Sequence, residues 1–378
     1  MEIAKWPVAG ERERELLLSV LDSPQWGGFH EIVARFEREF AAYQHSAFAV
    51  STFNGTVSLE MMFAVAGIGP GDEVIVPAIS FVSTATAVSR SGATPVFADI
   101  EPDTFNLDPE RVAAAIGPRT RAILAVHFGG SFCAIDRIGK LAEQNGLILF
   151  EDAAHAHGSE WNGKRAGSFG LAASFSFQNG KVMTCGEGGI VTTNDAGFHD
   201  RCRSFANQGR LPGASFFHHF TLGTNFRLTA LQAAVLIAQL ERLDSGIEAR
   251  QQNEDRIRND LAAIPGLTFQ HIPSPVNRQS HYLLPGRIDA DAFGSTRDEF
   301  HRCMVEQGIP CTPFYPHPLY SNPMYAAGDC RVEPCPVAEA CVRDAFWFPH
   351  RVLMSCHDTI EALVLTVKHM AGQSRPWV

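Results

Sequence analysis

Short apolar runs alternate with longer segments in which apolar residues recur every three or four positions, from about residue 45 to residue 240. Runs of this short kind are typical of buried strands, and the longer spacing is typical of helices that cover one face of a sheet. The alternation predicts an α/β fold whose sheet is mainly parallel and flanked by helices. Seven strands are predicted, over residues 46–50, 73–76, 94–98, 121–126, 147–150, 173–177 and 189–192.

Helical spacing fills the segments between these strands and continues beyond them. Helices are predicted over residues 56–66, 83–91, 109–116 and 135–144, and the pattern over 228–255 predicts one or two more. From about residue 265 onward Pro, His and Cys are frequent, which predicts long loops and few helices. Because 378 residues exceed the size at which a single core stops growing, we predict a large domain with an N-terminal arm (1–250) and a smaller C-terminal α/β domain (251–378).

Composition and charge exclude several classes of protein. Hydrophobic residues make up 45% of the chain and charged residues 19%, and no apolar run approaches the length of a membrane helix. The N-terminal residues lack the pattern of a secretory signal, so we expect a soluble, cytoplasmic protein. A net charge of −10 without basic clusters argues against nucleic acid or membrane as a partner. The spacing of Cys330, Cys335 and Cys341 fits neither a zinc ribbon nor a redox motif, so no metal is predicted.

The most informative residues are Lys181 and Asp152. Asp152 ends an apolar run, and Lys181 lies in a turn that is followed by the glycine-rich residues 186–189. A cofactor of the pyridoxal phosphate type needs a lysine for its Schiff base and a carboxylate to keep its pyridine nitrogen protonated. A loop lysine is usually a solvated surface charge, but the glycines predict a sharply bent chain that a planar cofactor can approach. The pair therefore indicates pyridoxal phosphate chemistry.

Five further residues are candidates for the same pocket, each with an ordinary structural alternative. Gly55 and Thr56 begin a predicted helix after a strand, which suits a phosphate, although this could be a simple helix cap. Ser176 could bond the same phosphate or merely pack. Phe81 could stack on the pyridine ring or belong to the core. His155 could contact the ring or its phenolic oxygen. In an open sheet of this kind these residues converge at the carboxyl ends of the strands.

Six motifs that follow one another between residues 54 and 227 together resemble one family, and the resemblance covers nearly the whole chain. They are Asn54-Gly55-Thr56, residues 71–78 (Gly-Asp-Glu-Val-Ile-Val-Pro-Ala), Glu151-Asp152-Ala153-Ala154-His155, Ser176 with Lys181, Gly186-Glu187-Gly188-Gly189, and Gly223-Thr224-Asn225-Phe226-Arg227. This set is similar to the DegT-type pyridoxal phosphate-dependent sugar aminotransferases. The resemblance implies the aspartate aminotransferase fold, called PLP-transferase fold type I.

The resemblance also implies roles for the residues. Lys181 would carry the Schiff base and move protons, and Asp152 would bond the pyridine nitrogen. Phe81 would stack, and Thr56 with Ser176 would hold the phosphate. Asn225 would reach the phosphate of a partner subunit, which implies a homodimer with shared active sites. Pyridoxamine phosphate would be the intermediate form of the cofactor, and glutamine or glutamate the amino donor.

Within the family, residues 175–184 and 350–353 look most like the branch that acts on carbocycles. Residues 314–320 resemble the glutamine-dependent scyllo-inosose aminotransferases, whereas residues 178–181 look as close to the 3-amino-5-hydroxybenzoate synthases. We expect transfer of an amino group to a keto-cyclitol or keto-sugar in aminoglycoside-like biosynthesis. A synthase that also dehydrates and aromatises, and a nucleotide-sugar aminotransferase, remain alternatives. The candidate substrate-binding residues are His281, Tyr315, His317 and His350.

Two other classes are less compatible with the sequence. The sugar dehydratases of this family carry a histidine where this chain has Lys181, so that variant is disfavoured. A non-catalytic relative that senses an effector for transcription would need a DNA-binding module. The acidic chain has only some forty-five residues before its first predicted strand, and this disfavours a regulator.

Overall fold

The structure is a computed structural model that describes residues 2–372. Its helices are α1 (Glu11–Leu21), α2 (Glu31–Tyr43), α3 (Gly55–Ala66), α4 (Ser83–Arg90), α5 (Pro109–Ala115), α6 (Ile135–Gln144), α7 (Ala196–Ala206), α8 (Ala230–Glu241), α9 (Leu243–Leu261), α10 (Ala290–Phe293), α11 (Arg297–Glu306), α12 (Pro336–Asp344), α13 (His350–Leu353) and α14 (His357–Met370). Its strands are β1 (Phe48–Thr52), β2 (Glu73–Pro77), β3 (Thr94–Ala98), β4 (Thr120–Val126), β5 (Ile148–Asp152), β6 (Glu160–Trp161), β7 (Lys164–Arg165), β8 (Ala172–Ser176), β9 (Gly189–Thr193), β10 (Leu267–Phe269), β11 (Val276–Arg278), β12 (Leu283–Ile288), β13 (Thr312–Pro313), β14 (Arg331–Val332) and β15 (Ala345–Pro349).

The large sheet has eight strands in the order β1-β9-β8-β5-β4-β2-β3-β14. Strand β9 runs antiparallel to both of its neighbours, and all other pairs are parallel. All seven predicted strands lie in this sheet, which confirms the predicted fold class. The eighth, β14, is a two-residue edge strand from the C-terminal part of the chain. It was missed because two residues, one of them an arginine, give no apolar run.

Helices cover both faces of the large sheet because its central strands are buried on both sides. Along β2, Ile75 belongs to one core, whereas Val74 and Val76 belong to the other. Successive side chains of a strand point to opposite faces, so each strand contributes to both cores. The first core also contains Phe36 and Phe40 from α2 and most of α8. The second contains residues of α3, α4 and α7.

The C-terminal part forms a four-stranded antiparallel sheet in the order β10-β12-β15-β13. Its core, which includes Phe300 and Phe346, is separate from the other two. The expectation of few helices after residue 265 was wrong, because α10 to α14 all lie there. Pro336 is at the first position of α12, where a missing N–H costs nothing. Thr296 and Glu299 form a capping box that starts α11.

The predicted pattern over residues 228–255 corresponds to two helices, α8 and α9, as one of its two alternatives proposed. Helix α9 is continuous over 19 residues. Its Ile247 packs in the first core, and its Ile257 packs in the C-terminal core. The predicted domain boundary at residue 250 falls within this helix and stays a prediction. Within residues 2–372, no helix is long and apolar enough to cross a membrane.

Candidate active site

The carboxyl ends of the parallel strands bring the candidate residues together. Asp152 is the last residue of β5, and it pairs in register with Val126 of β4 and Ser174 of β8. Ser176 ends β8, and Phe81 follows the end of β2 by four residues. Because β5, β8 and β2 run in the same direction, these residues occupy one edge of the sheet. This is where open α/β sheets bind ligands.

Asp152 is buried, and hydroxyl groups rather than a cation satisfy its carboxylate. Thr84 Oγ1 donates to Oδ2 at 2.8 Å, and the amide of Ala154 donates to Oδ1 at 3.3 Å. Because a carboxylate only accepts, Thr84 directs its proton to Asp152 and its oxygen can accept from Ser80 Oγ, 2.7 Å away. Burial raises the pKa of Asp152, against the Thr84 hydrogen bond and the charge of Lys181, which lower it. The carboxylate is thus set up to bind a cationic group.

Lys181 lies half-buried in a tight turn after β8. Its amide donates to the carbonyl of Gln178 at 2.9 Å. Its Nζ lies 4.6 Å from the centroid of the Tyr282 ring. The charge of Lys181 lowers the pKa of Asp152, as well as those of His155 and His157. The lysine therefore lies near the buried carboxylate without forming a salt bridge to it.

Two glycines let the helix α3 approach the end of β8. A Cβ on Gly55 would lie 2.8 Å from the Cβ of Ser176, and a Cβ on Gly189 would lie 2.4 Å from the carbonyl of Asn54. Such distances are shorter than packed atoms tolerate, so both positions require glycine. The close approach of β9 to the turn that begins α3 therefore explains why the last residue of the Gly186-Glu187-Gly188-Gly189 motif is a glycine.

A set of hydroxyl groups surrounds the N-terminus of α3. The side chain of Asn54 caps the helix by accepting from the amide of Val57 at 3.0 Å. Thr56 Oγ1 lies 2.7 Å from Ser83 Oγ, and Ser176 Oγ accepts weakly from the amide of Gln178 at 3.4 Å. The first amides of a helix have no acceptor within it and carry partial positive charge. Together with these hydroxyls, they form a site suited to a phosphate.

Phe81 and His155 border the same edge. The Phe81 side chain is 60% exposed although its neighbour Ser80 is buried. His155 Nδ1 accepts from the amide of Gly129 at 3.3 Å, which leaves Nε2 to carry the proton of the neutral ring. Burial lowers the pKa of His155 well below its usual value, so the ring is neutral. The centroids of the His155 and Tyr282 rings lie 4.4 Å apart. His157, by contrast, packs among the rings of the core.

The four candidate substrate residues lie in different surroundings. Burial raises the pKa of Tyr315, and the charge of Asp152 adds to this, so Tyr315 lies near the site. His281 is buried and pairs through Nδ1 with Glu254 at 2.8 Å. His317 donates from Nδ1 to the carbonyl of Pro318 at 3.2 Å. His350 is buried and contacts the carbonyl of Gly180 through Nε2 at 3.1 Å. Tyr315 thus interacts electrostatically with Asp152, whereas the hydrogen-bond partners of the three histidines are Glu254, Pro318 and Gly180.

Tyr315 belongs to a cluster of four aromatic rings. Tyr315 lies 5.4 Å from Trp347 and 5.6 Å from Phe314, and both of these rings contact Phe128. The ring of Phe128 also lies 5.8 Å from that of His155. Phe128 and Phe314 are buried in the second core, whereas Tyr315 and Trp347 are partly exposed.

Asn225 lies apart from this set, on the segment that precedes α8. Its side chain is exposed, and its Oδ1 accepts from the amide of Arg227 at 3.4 Å. The preceding segment exposes large apolar side chains, including Phe217 at 82% and Leu222 at 96%. Exposed apolar groups in such number are typical of a protein interface. Asn225 therefore adjoins a surface that is suited to association.

Sequence reasoning missed three residues of this site. Thr84 is the second residue of α4, and nothing distinguishes it from the other hydroxyl residues there. Tyr282 lies immediately before β12, and Lys181 Nζ lies over its ring. Trp6, in the N-terminal arm, donates from Nε1 to the carbonyl of Asn179 at 3.0 Å. The one sequence signal that could have indicated Thr84 is the cluster of Ser and Thr residues that follows the end of β2.

Comparisons with known proteins identify a family and structures with the same fold. The sequence profile of the DegT/DnrJ/EryC1/StrS aminotransferase family matches residues 7–367. The 3-amino-5-hydroxybenzoate synthase of Amycolatopsis mediterranei (strain S699) is 38% identical over 372 residues, covering 96% of this chain and 95% of that protein. A putative L-glutamine:3-amino-2,3-dideoxy-scyllo-inosose aminotransferase of Streptomyces kanamyceticus is 34% identical over 376 residues, covering 93% and 89%. A crystal structure of 3-amino-5-hydroxybenzoic acid synthase matches with a TM-score of 0.92 at 36% identity, covering 99% of both chains.

Proposed function

The chain belongs to the DegT/DnrJ/EryC1/StrS aminotransferase family, and we propose that it transfers an amino group from glutamine or glutamate to a keto-cyclitol or keto-sugar. The family is pyridoxal phosphate-dependent, and the chain is a transaminase of that kind. The observation that carries the proposal is the buried Asp152 carboxylate, which hydroxyl and amide donors hold at the same sheet edge as Lys181 and the N-terminus of α3.

The residues present fit pyridoxal phosphate. Asp152 has no salt-bridge partner within residues 2–372, although a buried carboxylate is costly without a cation. A protonated pyridine nitrogen would supply that cation. Gly55, Thr56 and Ser176 would bind the phosphate at the helix N-terminus, where positive partial charge and hydroxyl groups meet. Phe81 would cover one face of the ring and His155 would lie near its other polar groups.

When bound, this cofactor supplies an aldehyde that takes up amino groups and a ring that accepts electrons. Lys181 Nζ would remove the proton from Cα of the donor and return it at C4′ of the cofactor, so one amine acts as base and then as acid. Asp152 would hold the proton on the pyridine nitrogen throughout. The donor would leave as a keto acid whose oxygen comes from water, and in the second half-reaction the acceptor ketone would lose its oxygen as water and gain the amino group that the cofactor carries between the two halves.

A second candidate function is a 3-amino-5-hydroxybenzoate synthase-like reaction, in which loss of water makes the acceptor ring aromatic. One observation favours it. The relative with that name is 38% identical, against 34% for the inosose aminotransferase. Both functions use the same roles for Lys181 and Asp152.

A screen of acceptors tests the proposal and separates the two candidates. The protein is first converted to its pyridoxamine phosphate form with glutamine or glutamate. Keto-cyclitols, keto-sugars, nucleotide keto-sugars and an aminodehydroshikimate-like acceptor are then added singly, and the loss of the pyridoxamine absorbance is followed. We expect a keto-cyclitol or keto-sugar to react fastest and to yield an amine. An aromatic product would establish the second candidate instead. Reaction with simple keto acids alone would refute both.

We further propose that the active unit is a homodimer in which Asn225 serves the phosphate of the partner subunit. The exposed apolar side chains beside Asn225 support this. Mixing inactive Lys181→Ala with Asn225→Ala under subunit exchange is expected to restore activity. In the heterodimer both substitutions fall in one site and leave the other intact, so random mixing gives about a quarter of the wild-type sites.

Two controls make this complementation decisive. Each variant must be nearly inactive when assayed alone, and mass spectrometry of tagged subunits must establish that exchange occurred. If heterodimers form and no activity returns, Asn225 acts within its own chain and the shared-site proposal fails. Restored activity that rises and falls with the heterodimer fraction would support it.

A further inference from the structure

We propose that Trp6 and His350 position Lys181 by holding the two peptide carbonyl groups that precede it. Trp6 Nε1 donates to the carbonyl of Asn179 at 3.0 Å, and His350 Nε2 contacts the carbonyl of Gly180 at 3.1 Å. The two rings also contact each other edge to face, with centroids 4.7 Å apart. Consecutive carbonyls are thus held by side chains from opposite ends of the chain. We call Trp6 and His350 the carbonyl clamp. The inference rests on the proposed role of Lys181.

The protonation of His350 follows from its partner. A peptide carbonyl only accepts, so the contact requires a proton on Nε2. Burial lowers the pKa of His350 to about 3, and the charge of Arg250 contributes to this. The ring is therefore neutral across the ordinary pH range and keeps its proton on Nε2. The clamp needs no change of charge to work.

The clamp continues to the amine end of the lysine. The ring of His350 stacks on that of Tyr282, with centroids 6.0 Å apart and an angle of 24°. Lys181 Nζ lies 4.6 Å from the centroid of the same Tyr282 ring, and the centroid of the His155 ring lies 4.4 Å from it. One connected set of rings therefore supports both the backbone before Lys181 and its terminal nitrogen.

The part of the turn that precedes Lys181 has little other support, whereas Val182 and Met183 after it are buried in the first core. Its own hydrogen bonds are local, from the amides of Gly180 and Lys181 to Gln178 at 2.7 and 2.9 Å. Gln178 and Asn179 are exposed. Exposed turns with few buried contacts open more readily than the rest of a fold. A proton carrier displaced by about 1 Å can lose roughly a hundredfold in rate, so external support of this turn matters.

The N-terminal arm is anchored on both sides of Trp6. On one side, the amide of Ala4 donates to Ser355 Oγ at 3.0 Å, and Thr359 Oγ1 donates to the carbonyl of Glu2 at 3.1 Å. On the other side, Gln239 Nε2 donates to the carbonyl of Val8 at 3.1 Å. The arm thereby joins the C-terminal helices to α8 and delivers the indole to the lysine turn.

The test compares Trp6→Phe and His350→Phe, which keep an aromatic ring and remove the donor, with Trp26→Phe as a matched control. Trp26 is exposed and belongs to neither the turn nor the clamp. Amide hydrogen exchange is measured by mass spectrometry on the purified protein, and again after the cofactor is removed. In each clamp variant, residues 178–185 are expected to exchange about fivefold faster, as loss of one hydrogen bond implies. Other segments and the control should stay within about twofold.

Kinetics of the donor half-reaction provide a second measurement. The maximal rate should fall about tenfold in each clamp variant, whereas the donor KM changes by less than about twofold, because positioning rather than binding is lost. The double variant should lose less than the product of the single losses, since both residues hold one turn.

Several results would overturn the inference. Unchanged exchange in residues 178–185, or faster exchange spread evenly over the whole chain, would show that the clamp does not support the turn in particular. If His350→Phe does not fold, Trp6→Phe decides the question alone. Hydrogen exchange without cofactor does not depend on the reaction. If residues 178–185 exchange faster in the clamp variants but borohydride fixes no cofactor to Lys181 in the unmodified protein, the proposed function is refuted and the clamp is not.

Discussion

Replacement of Lys181 by alanine is expected to reduce transamination by more than about a thousandfold, near the upper end of what a positioned acid or base contributes. Its amine lies near Asp152, at the sheet edge where the cofactor would bind. The remaining four lysines are Lys5, Lys140, Lys164 and Lys368, and Lys181 is the lysine whose charge acts on Asp152. The variant should still bind the cofactor, since the residues proposed to hold the phosphate and the pyridine nitrogen are unchanged.

Borohydride reduction gives an independent measurement of the same role. The unmodified protein should be yellow, and reduction should fix the cofactor mass to the peptide that contains Lys181. Lys140→Ala is a suitable control, because this lysine is exposed on α6 and should leave both colour and rate unchanged. Cofactor mass on another lysine, or turnover near that of the unmodified protein in Lys181→Ala, would end the assignment.

Substitution of Asp152 by asparagine is expected to lower the rate by about a thousandfold, which corresponds to about 4 kcal/mol of transition-state stabilisation. Asparagine keeps the size of the side chain but removes the charge that would keep the pyridine nitrogen protonated. The site is buried, so no solvent ion can take its place. The measurement is the rate of the donor half-reaction, followed by the change in cofactor absorbance.

Thr84→Val provides a graded comparison for this experiment. It keeps the Asp152 carboxylate and removes the hydroxyl that donates to Oδ2. Loss of one hydrogen bond to a charged group costs about 1.5 to 3 kcal/mol, or roughly ten- to a hundredfold in rate. Thr84→Ser should restore most of the activity. If Asp152→Asn loses less than about tenfold, another residue protonates the pyridine nitrogen and the role of Asp152 is wrong.

The sequence predicted the sheet and its functional edge because both depend on local patterns. Apolar runs identified the strands, and Asp152 and Lys181 followed two of them in motifs with a chemical reason. The edge strand β14 was missed because its composition is not typical of a strand. It is a strand because it pairs with β3. The C-terminal helices were missed because Pro336 resembles a loop residue until its place at the start of α12 is known.

The rest of the site depends on contacts between distant parts of the chain, and local sequence patterns do not predict such contacts. Trp6 bonds Asn179 and His350 bonds Gly180, although the partners lie 173 and 170 positions apart along the chain. Thr84 reaches Asp152 across 68 positions of sequence. A serine, threonine, tryptophan or histidine is common in many roles, and only tertiary packing selects one of them. His350 was predicted to bind the substrate, and this stays a prediction. The structure places its Nε2 against the carbonyl of Gly180 in the lysine turn.

Helix α9 has a mechanical consequence. Its 19 residues extend about 28 Å, at the usual rise of 1.5 Å per residue. Ile247, near one end of the helix, packs in the first core, and Ile257, toward the other end, packs in the C-terminal core. An unbroken helix, a stiff rod, therefore joins these two cores. A hinge within it would have to break consecutive backbone hydrogen bonds. Closure around a substrate is therefore expected as a small pivot of the rod, with the irregular connections before β12 and after β13 absorbing the strain.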